Sequence, residues 1–181
     1  MTRTRITPSA LAVAALFLFG DAHAQTQNPP PPSAEPDVTT STYGDWLLRC
    51  HRQEKVKNCE ITQTLQLQLQ GQAQPVAIIG VARDPAAAAS FALIVQVPVN
   101  VFLKAGVSLS AGEPQPFILP FQTCVPAGCF ARMQLETIKN ALLFGGNESR
   151  VTFKDAGQNE VALPFSLKGF SNALAALEQQ S

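Results

Sequence analysis

Hydrophobic residues recur with a period of two over most of the chain beyond Tyr43. Leu65, Leu67 and Leu69 alternate with Gln66, Gln68 and Gln70, which places leucines on one face of a strand and amides on the other. Gly71 and Pro75 bracket a turn. Val76–Ala82 and Phe91–Val97 are short, nearly continuous apolar runs, the pattern of central strands buried on both faces. Further alternation follows at Val99–Lys104, at Val107 and Leu109, at Phe117, Leu119 and Phe121, at Ala131–Leu135, at Val151 and Phe153, and at Val161–Phe165. Gly or Pro punctuates most of these segments. The pattern predicts an antiparallel β-sandwich of seven to nine short strands, with residues 43–181 forming a single domain.

Two segments depart from that period. Leu135, Ile138, Ala141 and Leu142 are spaced like one face of a helix, which Gly145-Gly146 would end. Phe170, Ala173, Leu174 and Leu177 fall at i, i+3, i+4 and i+7, with Ser166 or Ser171 available as an N-cap. Both read as short amphipathic helices that cover an end or an open edge of the sandwich.

The beginning of the chain has a different character. Arg3 and Arg5 precede an apolar run from Ala10 to Phe19, and Ala22-His23-Ala24 supplies small residues around a cleavable bond. Residues 1–24 read as a secretory signal peptide, since the run is too short to span a bilayer. Residues 25–42 include Pro29–Pro32 and Pro36 and almost no large apolar side chain, so they read as a proline-rich disordered linker. Export is therefore expected: to the periplasm first, with outer-membrane association or secretion as further destinations, and with no transmembrane helix in the mature chain.

Charge narrows the function classes. The chain has 181 residues with 13 basic and 13 acidic side chains, and 14% of its residues are charged, against about 25% in average soluble domains. Removal of the leader takes away Arg3, Arg5 and Asp21 and leaves 11 basic and 12 acidic residues. A neutral chain has no means of gripping a polyanion, so nucleic acid is excluded as a partner. Uncharged polar groups cover the surface instead, 16 glutamines among them. The one local concentration of positive charge is Arg49, Arg52, Lys55 and Lys57, a candidate interaction surface.

Four cysteines carry the strongest chemical signal. Cys50 and Cys59 flank a charged loop, and Cys124 and Cys129 flank Val-Pro-Ala-Gly, where Pro126 and Gly128 favour a tight turn. Four cysteines allow three pairings. Cys50 with Cys59 and Cys124 with Cys129 is the favoured pairing, because neighbours across a turn need no assumed topology. Zinc prefers a short C-x-x-C bite and thiol-disulfide exchange a C-x-x-C opening a helix, and neither spacing occurs here. No metal and no cofactor is expected. His51 is the one histidine beyond the leader and reads as an exposed loop residue. The carboxylates are scattered, Asn147-Glu148-Ser149 is a common glycosylation pattern, and no serine lies in a G-x-S-x-G setting.

Several elements taken together resemble a known family. They are Trp46 followed by Cys50, then Cys59-Glu60-Ile61-Thr62-Gln63, the Pro-Phe-x3-Pro-Phe-x2-Cys-x3-Gly-Cys array from Pro116 to Cys129, and Leu163-Pro164-Phe165-Ser166-Leu167-Lys168-Gly169-Phe170 leading into Ala173-Leu174. This combination is similar to the invasion associated locus B family of exported bacterial proteins, over about Tyr43 to Leu177. The sequence departs from the family pattern at Val99-Asn100, where Gly is usual, and at Ser110-Ala111-Gly112, where an acidic residue is common.

The resemblance implies a β-sandwich in the periplasm or at the outer membrane, linked in pathogenic members to invasion of host cells. It carries over no catalytic residue. Within it Trp46 is expected beside the first disulfide, Gln63 as a buried amide with several hydrogen bonds, and Gly128, Gly169 and Phe170 as structural positions. Phe117 and Phe121 pack in the core or, if they face outward, form an apolar patch for a partner. The resulting expectation is a non-enzymatic exported binding or envelope protein whose protein or envelope partner and oligomeric state stay open. A structural periplasmic protein without a ligand and a carboxylate-dependent hydrolase are the alternatives.

Overall fold

The computed structural model describes residues 36–54, 56–85, 87, 89–145 and 149–180. The leader, the linker up to residue 35, Lys55, Gly146 and Asn147-Glu148 lie outside the described residues. Among the described residues eleven strands and two α-helices are formed: β1 Val38–Tyr43, β2 Trp46–Gln53, β3 Val56–Leu69, β4 Gln72–Arg83, β5 Phe91–Val97, β6 Val107–Ser110, β7 Phe117–Leu119, β8 Phe121–Val125, β9 Gly128–Gln134, α1 Leu135–Phe144, β10 Ser149–Lys154, β11 Glu160–Phe165 and α2 Phe170–Gln179. They build a seven-stranded sheet, ordered β1-β2-β3-β4-β5-β9-β8, and a four-stranded sheet, ordered β11-β10-β6-β7. Every ladder is antiparallel.

The expected sandwich is present, with more strands than the alternation indicated. One addition is β1, whose sequence VTTSTY has no apolar alternation to betray it. It pairs with β2 over its whole length, from Val38↔His51 to Tyr43↔Trp46. The linker expected through Thr42 is thus corrected: its last residues are an edge strand, held by β-favouring Thr and Val and by backbone pairing. Two strands are long, with 14 residues in β3 and 12 in β4, so they are not the short strands expected.

The core lies between the two sheets. Leu48, Ile61, Leu65, Ile79, Val81, Leu93 and Val95 from the larger sheet share it with Val107, Leu109, Leu119, Val151 and Leu163 from the smaller. Each such fully buried side chain contributes about 1.5–3 kcal/mol relative to exposure. The apolar runs in β4 and β5 are not buried on both faces. Ile78 is exposed and Ile94 half-buried, because the outer face of this antiparallel sheet meets solvent.

Val99–Lys104 does not form the expected strand. Only an isolated bridge, Val101↔Asp155, and a 3-10 turn at Leu103–Ala105 are found. Pro98 removes a donor and Asn100 adopts a left-handed φ of 66°, so no ladder is sustained.

The two helices bury the stripes that their spacing predicts: Leu135, Ile138, Ala141 and Leu142 in α1, and Phe170, Ala173, Leu174 and Leu177 in α2. Lys139 on α1 joins Glu178 on α2 at 3.0 Å. That hydrogen bond is the main reason the Lys139 ammonium is held above the ordinary lysine value. Neither candidate serine caps α2. Its N-cap is Gly169, and the Ser166 hydroxyl instead accepts from the Lys168 N–H at 3.1 Å.

Candidate functional site

β2 begins at Trp46, and its ladder with β3 ends at Leu47↔Thr62. From Gln63 onward β3 therefore continues with a ladder partner on one side only, β4. The opposite side would be left open at Gln63 without a substitute for the missing strand. The Gln63 side chain supplies it. Its Nε2 donates to the Ser166 carbonyl at 3.1 Å and to the Asp45 carbonyl at 3.2 Å, while its Oε1 accepts from the Ser166 N–H at 2.7 Å. The amide acts as one residue of backbone, joining the β1–β2 turn to the segment that follows β11. With these partners it is 9% exposed, as buried amides require.

Trp46 closes the same node. Its indole N–H donates to the Ser166 carbonyl at 2.9 Å, and its ring meets Phe170 edge-on with centroids 4.9 Å apart. The expected seat beside the first disulfide is thus corrected: Cys50 lies four residues farther along β2, about 13 Å away at ordinary strand rise. Asp45 N–H donates to the Lys168 carbonyl at 3.1 Å. Gly169 has φ 86°, and a Cβ on it would lie 2.1 Å from the Tyr43 carbonyl oxygen, so no other residue fits without moving the backbone. Trp46, Gln63, Ser166, Gly169 and Phe170, far apart in sequence, form one latch that ties the N-terminal strands to α2.

The latch forms one end of a groove of about 910 Å³, lined by Asp45, Thr64, Gln66, Gln68, Lys168 and the backbone near Gly145. Phe144, between the lining residues Leu143 and Gly145, is 82% exposed. Sequence reasoning did not single it out, since it ends a helical stripe as an ordinary apolar residue.

Both cysteine pairs close across adjacent strands. Cys50 opposes Cys59 between β2 and β3, and Cys124 opposes Cys129 between β8 and β9. Gly128 follows the two-residue turn Pro126-Ala127, and a Cβ there would lie 2.6 Å from the Val97 carbonyl oxygen on β5.

The candidate basic surface is divided. Strand alternation puts Arg49 on one face of β2 and Arg52 on the other, where Arg52 opposes Lys57. Lys57 Nζ donates to the Gln180 side chain beyond α2. Lys55 lies outside the described residues, and the described members do not form one patch. Phe117 and Phe121 belong to different sheets and pack, half-buried, against the core, so the apolar patch considered for them is absent there.

A second polar cluster was not anticipated. Asp84, fully buried at the end of β4, accepts from the Arg132 guanidinium and from the Gln134 amide, both on β9. Its N–H donates to the Ser90 carbonyl at 2.8 Å. The available signal was the Asp84-Pro85 step after an apolar run, which reads equally well as a plain turn. On the far side, Asp155 is held below the ordinary aspartate value, chiefly by the Asn159 side-chain amide and then by the backbone N–H groups of Asn159 and Gly157. Among the described residues no group of three or more His, Cys, Asp or Glu is arranged to hold a metal ion, and no helix is long and apolar enough to cross a membrane.

Fold and site together define a disulfide-stapled antiparallel sandwich latched by its C-terminal helix. The family model described as "Invasion associated locus B (IalB) protein" matches residues 46–178, and the chain belongs to that family. It is 28% identical over 134 residues to an Invasion protein B homolog of Brucella abortus (strain 2308), covering 74% of this chain and 75% of that protein. It is 27% identical over 180 residues to Invasion protein B of Bartonella bacilliformis, covering 92% and 94%. The crystal structure of invasion associated protein B from Bartonella henselae superposes with a TM-score of 0.60 at 26% identity, covering 78% of this chain and 95% of that one.

Proposed function

We propose that the protein is an exported, non-enzymatic binding module of the bacterial cell envelope that works through its surface rather than through bond-making chemistry. One observation carries this reading: the motif residues use their functional groups on one another. Gln63 and Trp46 spend their donors on Ser166 and Asp45, and the cysteines are paired in disulfides. What these residues preserve is a rigid shape.

Cross-strand disulfides fit a chain that folds in an oxidising compartment, in keeping with the leader read at residues 1–24. The names of the relatives point to a part in the invasion of host cells, and the proposed contribution is adhesion or envelope anchoring. Crosslinking on intact cells followed by affinity purification tests the reading. A discrete envelope or host protein joined to the chain is the expected result. Recovery of this chain alone, with no second protein species, overturns it.

A further inference from the structure

We infer that Cys124 is a thiol-exchange site: an external dithiol opens the Cys124–Cys129 disulfide in the folded domain while Cys50–Cys59 stays closed. This goes beyond the envelope-binding reading and does not depend on it.

The two disulfides differ in where the fold puts them. Cys124 lies on β8, which ends the seven-stranded sheet and pairs with β9 alone. The β8–β9 ladder is irregular between Phe121 and Thr123, and every residue from Gln122 to Val125 is exposed. An edge strand of this kind opens locally at low cost. Its bonded partner Cys129 is 3% exposed, so a thiolate reaches the pair from the Cys124 side. Cys50 is also buried, and it is paired on both sides, with Thr39 on β1 and Cys59 on β3. Cys59 is half-buried and lines a cavity of about 230 Å³ together with His51, Lys57 and Arg83. Cations there favour Cys59 as the leaving thiolate, but that route requires attack on the covered Cys50.

The exchange balances within the pair and the reductant. A reductant thiolate attacks Cys124 Sγ and forms a new S–S bond there, and the electron pair of the old bond leaves on Cys129 Sγ, which takes a proton from water. The second thiolate of the dithiol then attacks its own sulfur in the mixed disulfide and releases Cys124, which is protonated in turn. Two electrons pass to the cysteine pair, and the dithiol becomes a disulfide. The turn keeps its own support after the bond opens, because Gln96 Nε2 donates to the Ala127 carbonyl at 2.8 Å.

Timed reduction of the oxidised protein tests the proposal. Samples are treated with limiting dithiothreitol, quenched in acid, unfolded, alkylated and digested, and the cysteine peptides are quantified by mass spectrometry. Cys124 and Cys129 are expected to label at least about tenfold faster than Cys50 and Cys59, with the fluorescence of Trp46, the single tryptophan, unchanged. In denaturing urea, where burial is lost, the ratio should fall towards one. With glutathione in place of the dithiol, the trapped adduct should sit on Cys124. Equal or reversed rates in the folded protein overturn the proposal, as does a rate ratio that persists in urea, which would assign the difference to local sequence rather than to the fold. A glutathione adduct on Cys129, or loss of the Trp46 signal in step with labelling, overturns it as well.

Discussion

Gly169 and Tyr43 approach so closely that the carbonyl oxygen of Tyr43 would stand 2.1 Å from a Cβ on the glycine. The contact joins the turn between β1 and β2 to the start of α2, and it sits beside the Trp46–Phe170 ring pair.

Gly169→Ala is therefore expected to destabilise the domain both through its φ of 86° and through displacement of the Tyr43 backbone. Gly71 gives the control: its φ is 79°, yet nothing lies within 4 Å of the Cβ position. Gly71→Ala should cost about 1–2 kcal/mol from the left-handed conformation alone, and Gly169→Ala at least about twice that. Urea unfolding of the two variants measures the difference, and equal costs would show that the close approach carries no energy.

Gln63 tests the substitute-strand role. Gln63→Leu leaves the Ser166 N–H without its acceptor and takes a donor from the carbonyls of Ser166 and Asp45. A loss of about 2–4 kcal/mol is expected. Gln63→Glu keeps the acceptor but turns a carboxylate oxygen toward two carbonyls, which raises its folded pKa. Its deficit should be small in acid and grow as the pH rises above about 4.3, the ordinary glutamate value. Denaturation midpoints across pH check the sign. A deficit independent of pH would contradict the assigned geometry.

The Asp84–Arg132 pair is unequal in burial, with the carboxylate at 0% and the guanidinium at 28% exposure. Arg132→Met strips the guanidinium from a buried charge and should cost about 3–5 kcal/mol. Asp84→Asn leaves an arginine that reaches water and should cost less, about 1–2 kcal/mol. The ordering is read from unfolding curves of the two variants, and the reverse ordering would contradict this account of the cluster.

Much of the fold is legible in the alternation. Leu65, Leu67 and their glutamines mark β3, and the stripes from Leu135 and Phe170 mark both helices. β1 was hidden because an edge strand of hydroxyl residues needs a neighbour's backbone rather than an apolar face. Val99–Leu103 misled because alternation says nothing of a left-handed Asn100. At the site, Trp46, Gln63, Gly169 and Phe170 were identifiable one by one. Their meeting at Ser166 was not, since it depends on where the β2–β3 ladder stops. Asp84 and Arg132 are 48 residues apart, and strand register alone brings them together.

The two disulfides close rings of sequence separation 9 and 5. Loop-entropy reasoning assigns about 2.6 kcal/mol to the first and about 2.1 kcal/mol to the second. Replacing Cys50 and Cys59 together by Ser should therefore lower the denaturation midpoint slightly more than replacing Cys124 and Cys129. A negligible effect of the first pair would show that the β2–β3 hairpin holds without its staple.

Export to an oxidising compartment underlies the functional reading, and thiol alkylation combined with cell fractionation tests it most directly. The account predicts a chain shortened by its leader in the periplasmic or envelope fraction, with all four cysteines blocked to alkylation until a reductant is added. A full-length cytosolic chain whose four cysteines are alkylated without reduction would contradict it.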